Sequence, residues 1–312
     1  MSECTPGANR PDAARVFDEH RGLLTSVAYR VLGSVTDAED AVQEAWLRWS
    51  NVDHSGVENP RAFLVRVTTR LAIDRLRRVK ARRESYVGPW LPEPVLTWQD
   101  PSEDAAMAES VSMAMLVVLE TLSPLERAVF VLREAFGMPY SEIAEILGRN
   151  EEAVRQLAHR ARAHVHERRS RFDADQAEQR RVTERFLEAT STGDLEGLMA
   201  VLSPGVELVA DGGGRALAPR RPVRGAEKVA RFLLAVVTEE QTARFLESVG
   251  SDPSGGTRVH LAQVNGAPGV VITAGGEPIS ALVLDVSDGM VMTIRLVANP
   301  EKLAGVRAVE AR

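Results

Sequence analysis

One cysteine, Cys4, stands in 312 residues, so no internal disulfide can form and a disulfide-stapled secreted scaffold is excluded. No apolar run approaches the roughly 18 residues that a membrane-spanning helix requires, and the opening MSECTPGANRPDAARVF lacks the apolar stretch of a signal peptide. These absences predict a cytoplasmic protein with no membrane partner. Beyond Arg171 there is no Tyr, Trp or Cys, and His260 is the sole histidine. That half therefore offers neither a tuned acid–base pair nor a metal-ligand cluster, and no cofactor or metal is expected.

The charge that is present is unevenly spread. The formal net charge is −6, which argues against a non-specific nucleic-acid binder. Yet residues 61–83 carry nine bases against Asp74 alone, and residues 84–126 carry eight acids and no base. Residues 155–171 then return six arginines and three histidines against Glu167. Any single run reads as a solvated face, but two basic blocks joined by an acidic strap look like two polyanion contacts. The length fits about two domains.

Periodicity divides the chain further. Val16, Leu23, Leu24, Val27, Ala28 and Val31 recur at helical spacing up to Gly33. Thr36-Asp37-Ala38-Glu39 has the form of a capping box opening a helix through Trp49, and Asn59-Pro60 opens another. Residues 84–101, with four prolines, cannot form a regular helix. Residues 102–122 read as helical, and Ser123-Pro124-Leu125-Glu126 caps a helix to Ala135. A short helix over 142–147, the turn Gly148-Arg149-Asn150 and a basic helix from Glu151 form a helix-turn-helix pattern. From about Arg180 two helices and a further one over 224–237 accompany alternating apolar runs, which predicts a separate α+β domain. Asp285 and Asp288 read as turn chemistry around an Asp-Gly hairpin.

The segments DAEDAVQEAWLRW (37–49), NPRAFL (59–64) and AIDRLRR (72–78) resemble region 2 of bacterial extracytoplasmic-function sigma factors, and 122–162 resembles their region 4. Residues 180–312 resemble the SnoaL-like domain of the nuclear-transport-factor-2 superfamily. The signatures Trp90-Leu91-Pro92-Glu93-Pro94, Asp211-Gly212-Gly213-Gly214-Arg215 and Asn299-Pro300-Glu301-Lys302-Leu303 mark the sigma subgroup with this extension. Arg215 stands where Lys is expected and Glu301 where Asp is expected, with charge kept. The resemblance implies two all-α sigma domains, the second with a helix-turn-helix, followed by an α+β cone. Their limits are 1–83 for region 2, 84–101 for the acidic linker, 102–172 for region 4 and 173–312 for the regulatory domain.

The resemblance also implies roles. Asp37, Asp40 and Glu44, on one helix face, with Leu47 and Val42 as the apolar part, meet a basic clamp on core RNA polymerase. Asn51, Asp53, His54 and Ser55 line a loop that takes up a flipped base of the minus-ten element, while Arg61, Arg66 and Arg70 meet phosphates. Arg155 reads bases of the minus-thirty-five element, and His159, Arg160 and Arg162 accompany it, Arg160 and Arg162 on the backbone. The acidic strap fits a polymerase channel that otherwise holds RNA. The three signatures are candidates for an interdomain contact in which the extension replaces a separate anti-sigma factor. A small ligand in the C-terminal domain stays open. Two other readings remain: a one-component helix-turn-helix regulator with a sensor domain, and a cyclase-like enzyme tethered to DNA. The lone histidine and the missing tyrosine count against the enzyme, and region 2 counts against the regulator.

Overall fold

The computed structural model describes residues 10–83, 85–97, 112–169 and 175–310. The described residues divide into two compact units that cut across chain order. The described parts of Met1–Ala81 and Leu119–His166 form one; those of Arg82–Gln99, Ala108–Val118 and Glu167–Arg312 form the other.

The first unit is helical. Helix α1 (Arg10–Leu32) stops at Gly33, whose φ of 72° suits a residue without Cβ. Helix α2 (Val35–Trp49) starts one residue before the expected cap, because Ser34 rather than Thr36 accepts the Asp37 N–H at 3.0 Å. Helix α3 (Pro60–Arg83) is capped by Asn59, which accepts the Ala62 N–H. Of the expected helix over 102–122 the described residues form α4 (Met113–Leu119), which belongs to the second unit up to Val118. Helix α5 (Pro124–Phe130) has the full capping box of Ser123 and Glu126, then widens into a π-turn at Val131–Ala135. Helix α6 (Tyr140–Leu147) closes on Gly148 in the left-handed region at φ 63°. Asn150 then caps α7 (Glu151–Arg169). Val154, Ala158, Ala161 and Val165 form its buried stripe.

Arg127 is fully buried, donating to the Arg30 carbonyl and pairing with Glu120. Lys80, near the end of α3, donates to the carbonyls of Glu120 and Leu122. Both contacts tie α1 and α3 to α5 and to the turn before it through charged groups on carbonyls.

The second unit holds helices α8 (Gln176–Thr192), α9 (Leu195–Val201), α10 (Ala226–Val236) and α11 (Glu239–Ser248) around six strands. These are β1 (Leu202–Asp211), β2 (Val223–Arg224), β3 (Thr257–Val264), β4 (Ala267–Ala274), β5 (Glu277–Ser287) and β6 (Met290–Val297). The sheet order is β2-β1-β6-β5-β4-β3, antiparallel except for β1 beside β6. The period of two separates its faces. Leu208, Leu284 and Ile294 pack with Phe186, Leu198 and Val229 of the helices. On the other face Val271, Val283 and Val297 pack with Leu91, Leu96, Leu303 and Met113.

Asp288 and Gly289, at φ 53° and 70°, make the expected tight turn. Asp285 differs from expectation. It is buried on β5 and ion-paired with Arg295 across the β5–β6 ladder. Burial pulls the Arg295 guanidinium down to about 10.

Candidate functional site

The three signatures converge within the second unit. Asp211 ends β1 on the sheet face opposite the helices and is completely buried. One of its oxygens accepts the Leu91 backbone N–H at 2.8 Å and Lys302 Nζ at 2.7 Å. The other accepts the Tyr86 hydroxyl at 2.6 Å and the Gly213 N–H at 3.1 Å. The Asp211 carbonyl receives the backbone N–H groups of Ala298 and Asn299. This is how β1 recruits the chain after β6.

Lys302 is the counterpart. Its ammonium donates to the Leu91 carbonyl at 2.6 Å and lies 3.9 Å from the Trp90 ring centroid and 5.0 Å from that of Tyr86. A buried ammonium between two aromatic faces and a carboxylate is held by cation–π attraction as well as by its ion pair. Asn299 caps the short turn Pro300–Lys302 through the Glu301 N–H, and its amide donates to the Tyr86 hydroxyl at 2.9 Å. Burial, reinforced by the neighbouring Asp211 carboxylate, pushes the Tyr86 phenol well above its ordinary value. Gly213 is required by this closeness: a Cβ there would run into the Asn299 amide, and its φ is 60°. On the rim, Arg215 pairs with Glu301 at 2.5 Å, so the two departures from the expected signatures pair with each other.

The linker continues from this clamp as a strand-like segment. Leu91, Glu93, Val95 and Leu96 are buried, as are Pro92 and Pro94. Asn265, in the turn between β3 and β4, receives the Val95 N–H on its side chain and donates its own N–H to the Val95 carbonyl. The Thr97 N–H donates to the Gln263 carbonyl, and the Leu96 N–H to Gly305. Trp90 itself is half-buried; Leu91 is the buried anchor. Tyr86 and Asn265 were missed in sequence. The signals were present: one of three tyrosines lies in the linker, and Asn265-Gly266 is a tight-turn pair.

The candidate polymerase and DNA contacts lie in the first unit. Arg75 of α3 pairs with Asp37 at 2.6 Å and Asp40 at 2.5 Å. Although burial opposes it, hydrogen bonding to these carboxylates raises the Arg75 guanidinium further. Glu44 pairs with Arg48 on its own helix, and Leu47 is 60% exposed. Leu47 and Glu44 are thus the parts of that face least committed to internal packing.

The loop before α3 is folded on local bonds. Asn51 donates to the Leu47 carbonyl, His54 Nε2 lies 3.0 Å from the Trp49 carbonyl, and Asp53 accepts both the N–H and hydroxyl of Ser55. Those bonds hold the Asp53 carboxyl below its ordinary value. Arg61 is exposed and Arg66 lies 5.4 Å from the Phe63 ring. Arg70 instead donates to the carbonyls of Ile146 and Glu145 at the end of α6, where a cation meets the helix dipole. On α7, Arg155 and His159 lie on one exposed stripe with Arg162. Arg155 pairs with Glu151. Arg162 bonds Glu134 and the Tyr140 hydroxyl, which raise its guanidinium above the ordinary value. Arg160 lies on the other flank, 3.2 Å from Glu126.

Among the described residues no cluster of His, Cys, Asp or Glu fits a metal ion, and no helix is long and apolar enough to cross a membrane.

The model for Sigma-70 region 2 matches residues 16–83, and that for Sigma-70, region 4 matches residues 112–165. The ECF RNA polymerase sigma factor SigJ of Mycobacterium tuberculosis is 40% identical over 300 residues, covering 95% of each chain. The probable ECF RNA polymerase sigma factor SigI of the same organism is 33% identical, covering 93% of this chain and 94% of that one. The crystal structure of M. tuberculosis SigJ aligns with a TM-score of 0.72 at 38% identity, covering 93% of this chain and 97% of that one. A helical region 2, a helix-turn-helix region 4 and an α+β extension occur here in that order, and the chain belongs to the extracytoplasmic-function family of RNA polymerase sigma factors, in the subgroup with a C-terminal SnoaL-like domain.

Proposed function

We propose that this sigma factor binds core RNA polymerase through α2 and promoter DNA through the α3 loop and α7, while its C-terminal domain regulates both by gripping the linker. The work is that of a cytoplasmic transcription factor rather than an enzyme. The observation that carries this reading is the Asp211–Lys302 clamp on Leu91, which ties the segment between regions 2 and 4 to the extension.

Chain length gives the clamp leverage. From Arg83 to Met113 the tether is 30 residues, with a reach of about 100 Å when extended. Promoter elements about 25 base pairs apart lie roughly 85 Å apart along the duplex. With Tyr86 and residues 91–97 bonded to the extension, 3 residues lead from Arg83 to the first held position, or about 10 Å. Closing the clamp therefore restricts how far regions 2 and 4 separate. This makes the extension a built-in substitute for a separate anti-sigma factor.

Core binding is tested on the free part of α2. Glu44→Arg with Leu47→Asp should abolish co-purification with core polymerase while leaving helicity unchanged, since neither side chain holds α3. Retained co-purification contradicts the assignment. Reversing Asp37 and Asp40 is a poorer test, because Arg75 would lose both partners.

A further inference from the structure

A cavity of 150 Å³ lies where the linker meets the loop after β1. Its walls are Val87 and Gly88 from the linker, and Gly214, Leu217, Pro219 and Arg220 from the loop. The loop is closed tightly on backbone: the Arg215 and Ala216 N–H groups both donate to the Gly212 carbonyl. A Cβ on Gly212 would stand 2.8 Å from the Ala216 carbonyl oxygen, and one on Gly214 3.1 Å from Val87. The glycines thus let the loop and the linker approach closely, and this close approach forms the wall of the hollow.

Its rim is positive. Arg220 is exposed and followed by Arg221, while Arg215 answers Glu301 from outside. Asp211 is turned inward onto Lys302 and Tyr86, so its charge is matched within the clamp. A planar guanidinium beside a hollow with Val87 and Leu217 in its walls selects a carboxylate or phosphate head. A cavity of this volume holds a body about the size of benzene.

We infer that this cavity binds a small anion with a short apolar body, its head on Arg220 and its body against Val87, and that the anion holds the linker clamp closed. The inference rests on the proposed regulation by the clamp. The coupling follows from the walls: Val87 and Gly88 adjoin Tyr86, so releasing the linker removes one side of the site. A ligand that needs both sides binds the clamped state better and shifts the population toward it.

Full-length protein titrated calorimetrically with benzoate, phenyl phosphate and benzamide tests this. The two anions should bind saturably at millimolar concentration or below, and neutral benzamide at least tenfold more weakly. Arg220→Ala should weaken both anions at least tenfold, and Tyr86→Phe, which leaves the walls intact but loosens the linker, should weaken them several-fold. Preference between benzoate and phenyl phosphate identifies the head group. No saturable anion binding, or equal binding by Arg220→Ala, overturns the site. Anion binding unaffected by Tyr86→Phe overturns the coupling. Failure of the proposed regulation itself reads separately, as transcription that is insensitive to Lys302→Ala without any ligand.

Discussion

At the scale of single residues, the decisive group is Lys302. Its ammonium and the Asp211 carboxylate are 8% and 0% exposed, so removing either leaves a buried charge without its partner. Truncating one member of such a pair costs about 3–5 kcal/mol, whereas neutralising both costs less than the sum. Lys302→Ala should therefore lower the extension's unfolding free energy by about that amount, and Lys302→Met with Asp211→Asn should recover part of it. Denaturant titration of the single and double variants measures this; strict additivity would mean the two groups do not act as a unit. Tyr86 supplies a pH signature. Its phenol is raised above its ordinary value, so above about pH 10 the unfolded chain loses a proton that the folded chain keeps. Stability must then fall as pH rises past that point. In a spectrophotometric titration, the wild-type minus Tyr86→Phe difference should show a tyrosine ionising later than a free one. Ionisation at the ordinary value contradicts the buried hydrogen bond. Asp211 and Lys302 were legible in sequence because they lie in recognisable signatures. Tyr86 was not, since its role depends on the end of a strand 125 residues away.

At the scale of elements, the local starts and stops were legible where one side chain sets them. Asn59, Ser123 and Asn150 cap the expected helices, and Gly148 opens the expected turn, in the left-handed region. The cap of α2 went to Ser34 because two hydroxyl residues compete within three positions, and only the three-dimensional path chooses between them. Helix α11 and the two-residue β2 were not anticipated: α11 is short and buries Leu246 alone, and two residues are too few to show a period. Arg75 escaped notice as a partner of Asp37 and Asp40, because pairing across two helices leaves no mark in either helix's spacing. In the complex with core polymerase, Arg155→Ala should weaken binding to the cognate minus-thirty-five sequence by about 1–3 kcal/mol and leave altered sequences less affected. Arg162→Ala should weaken all sequences alike and reduce the salt slope by about one. It should also lower the motif's melting temperature, since Glu134 and Tyr140 lose their partner. Binding titrations over several salt concentrations separate the two; exchanged behaviours would reverse the orientation assigned to α7.

At the scale of the whole molecule, the sequence separated helical from α+β grammar, yet the compact units do not follow that boundary. The linker, acidic and rich in proline, reads as a strap between two helical domains. It is instead part of the second unit, because Pro-rich backbone cannot form a helix but can lie along the open end of a sheet, as Val95 and Thr97 do beside Asn265 and Gln263. On the proposed regulation, that placement turns a tether into a control point. A cut just before Asn299 removes Lys302 while sparing the contacts of Asp211, Asn265 and Gln263 with the linker; a cut after about Arg180 removes them all. The most direct test is run-off transcription from a cognate promoter with purified core polymerase and the three lengths of chain. If the linker contacts of Asp211, Asn265 and Gln263 also hold the active arrangement, the cut before Asn299 should raise activity above the full-length level and the deeper cut should lose it, whereas equal activity from all three would contradict regulation through the clamp.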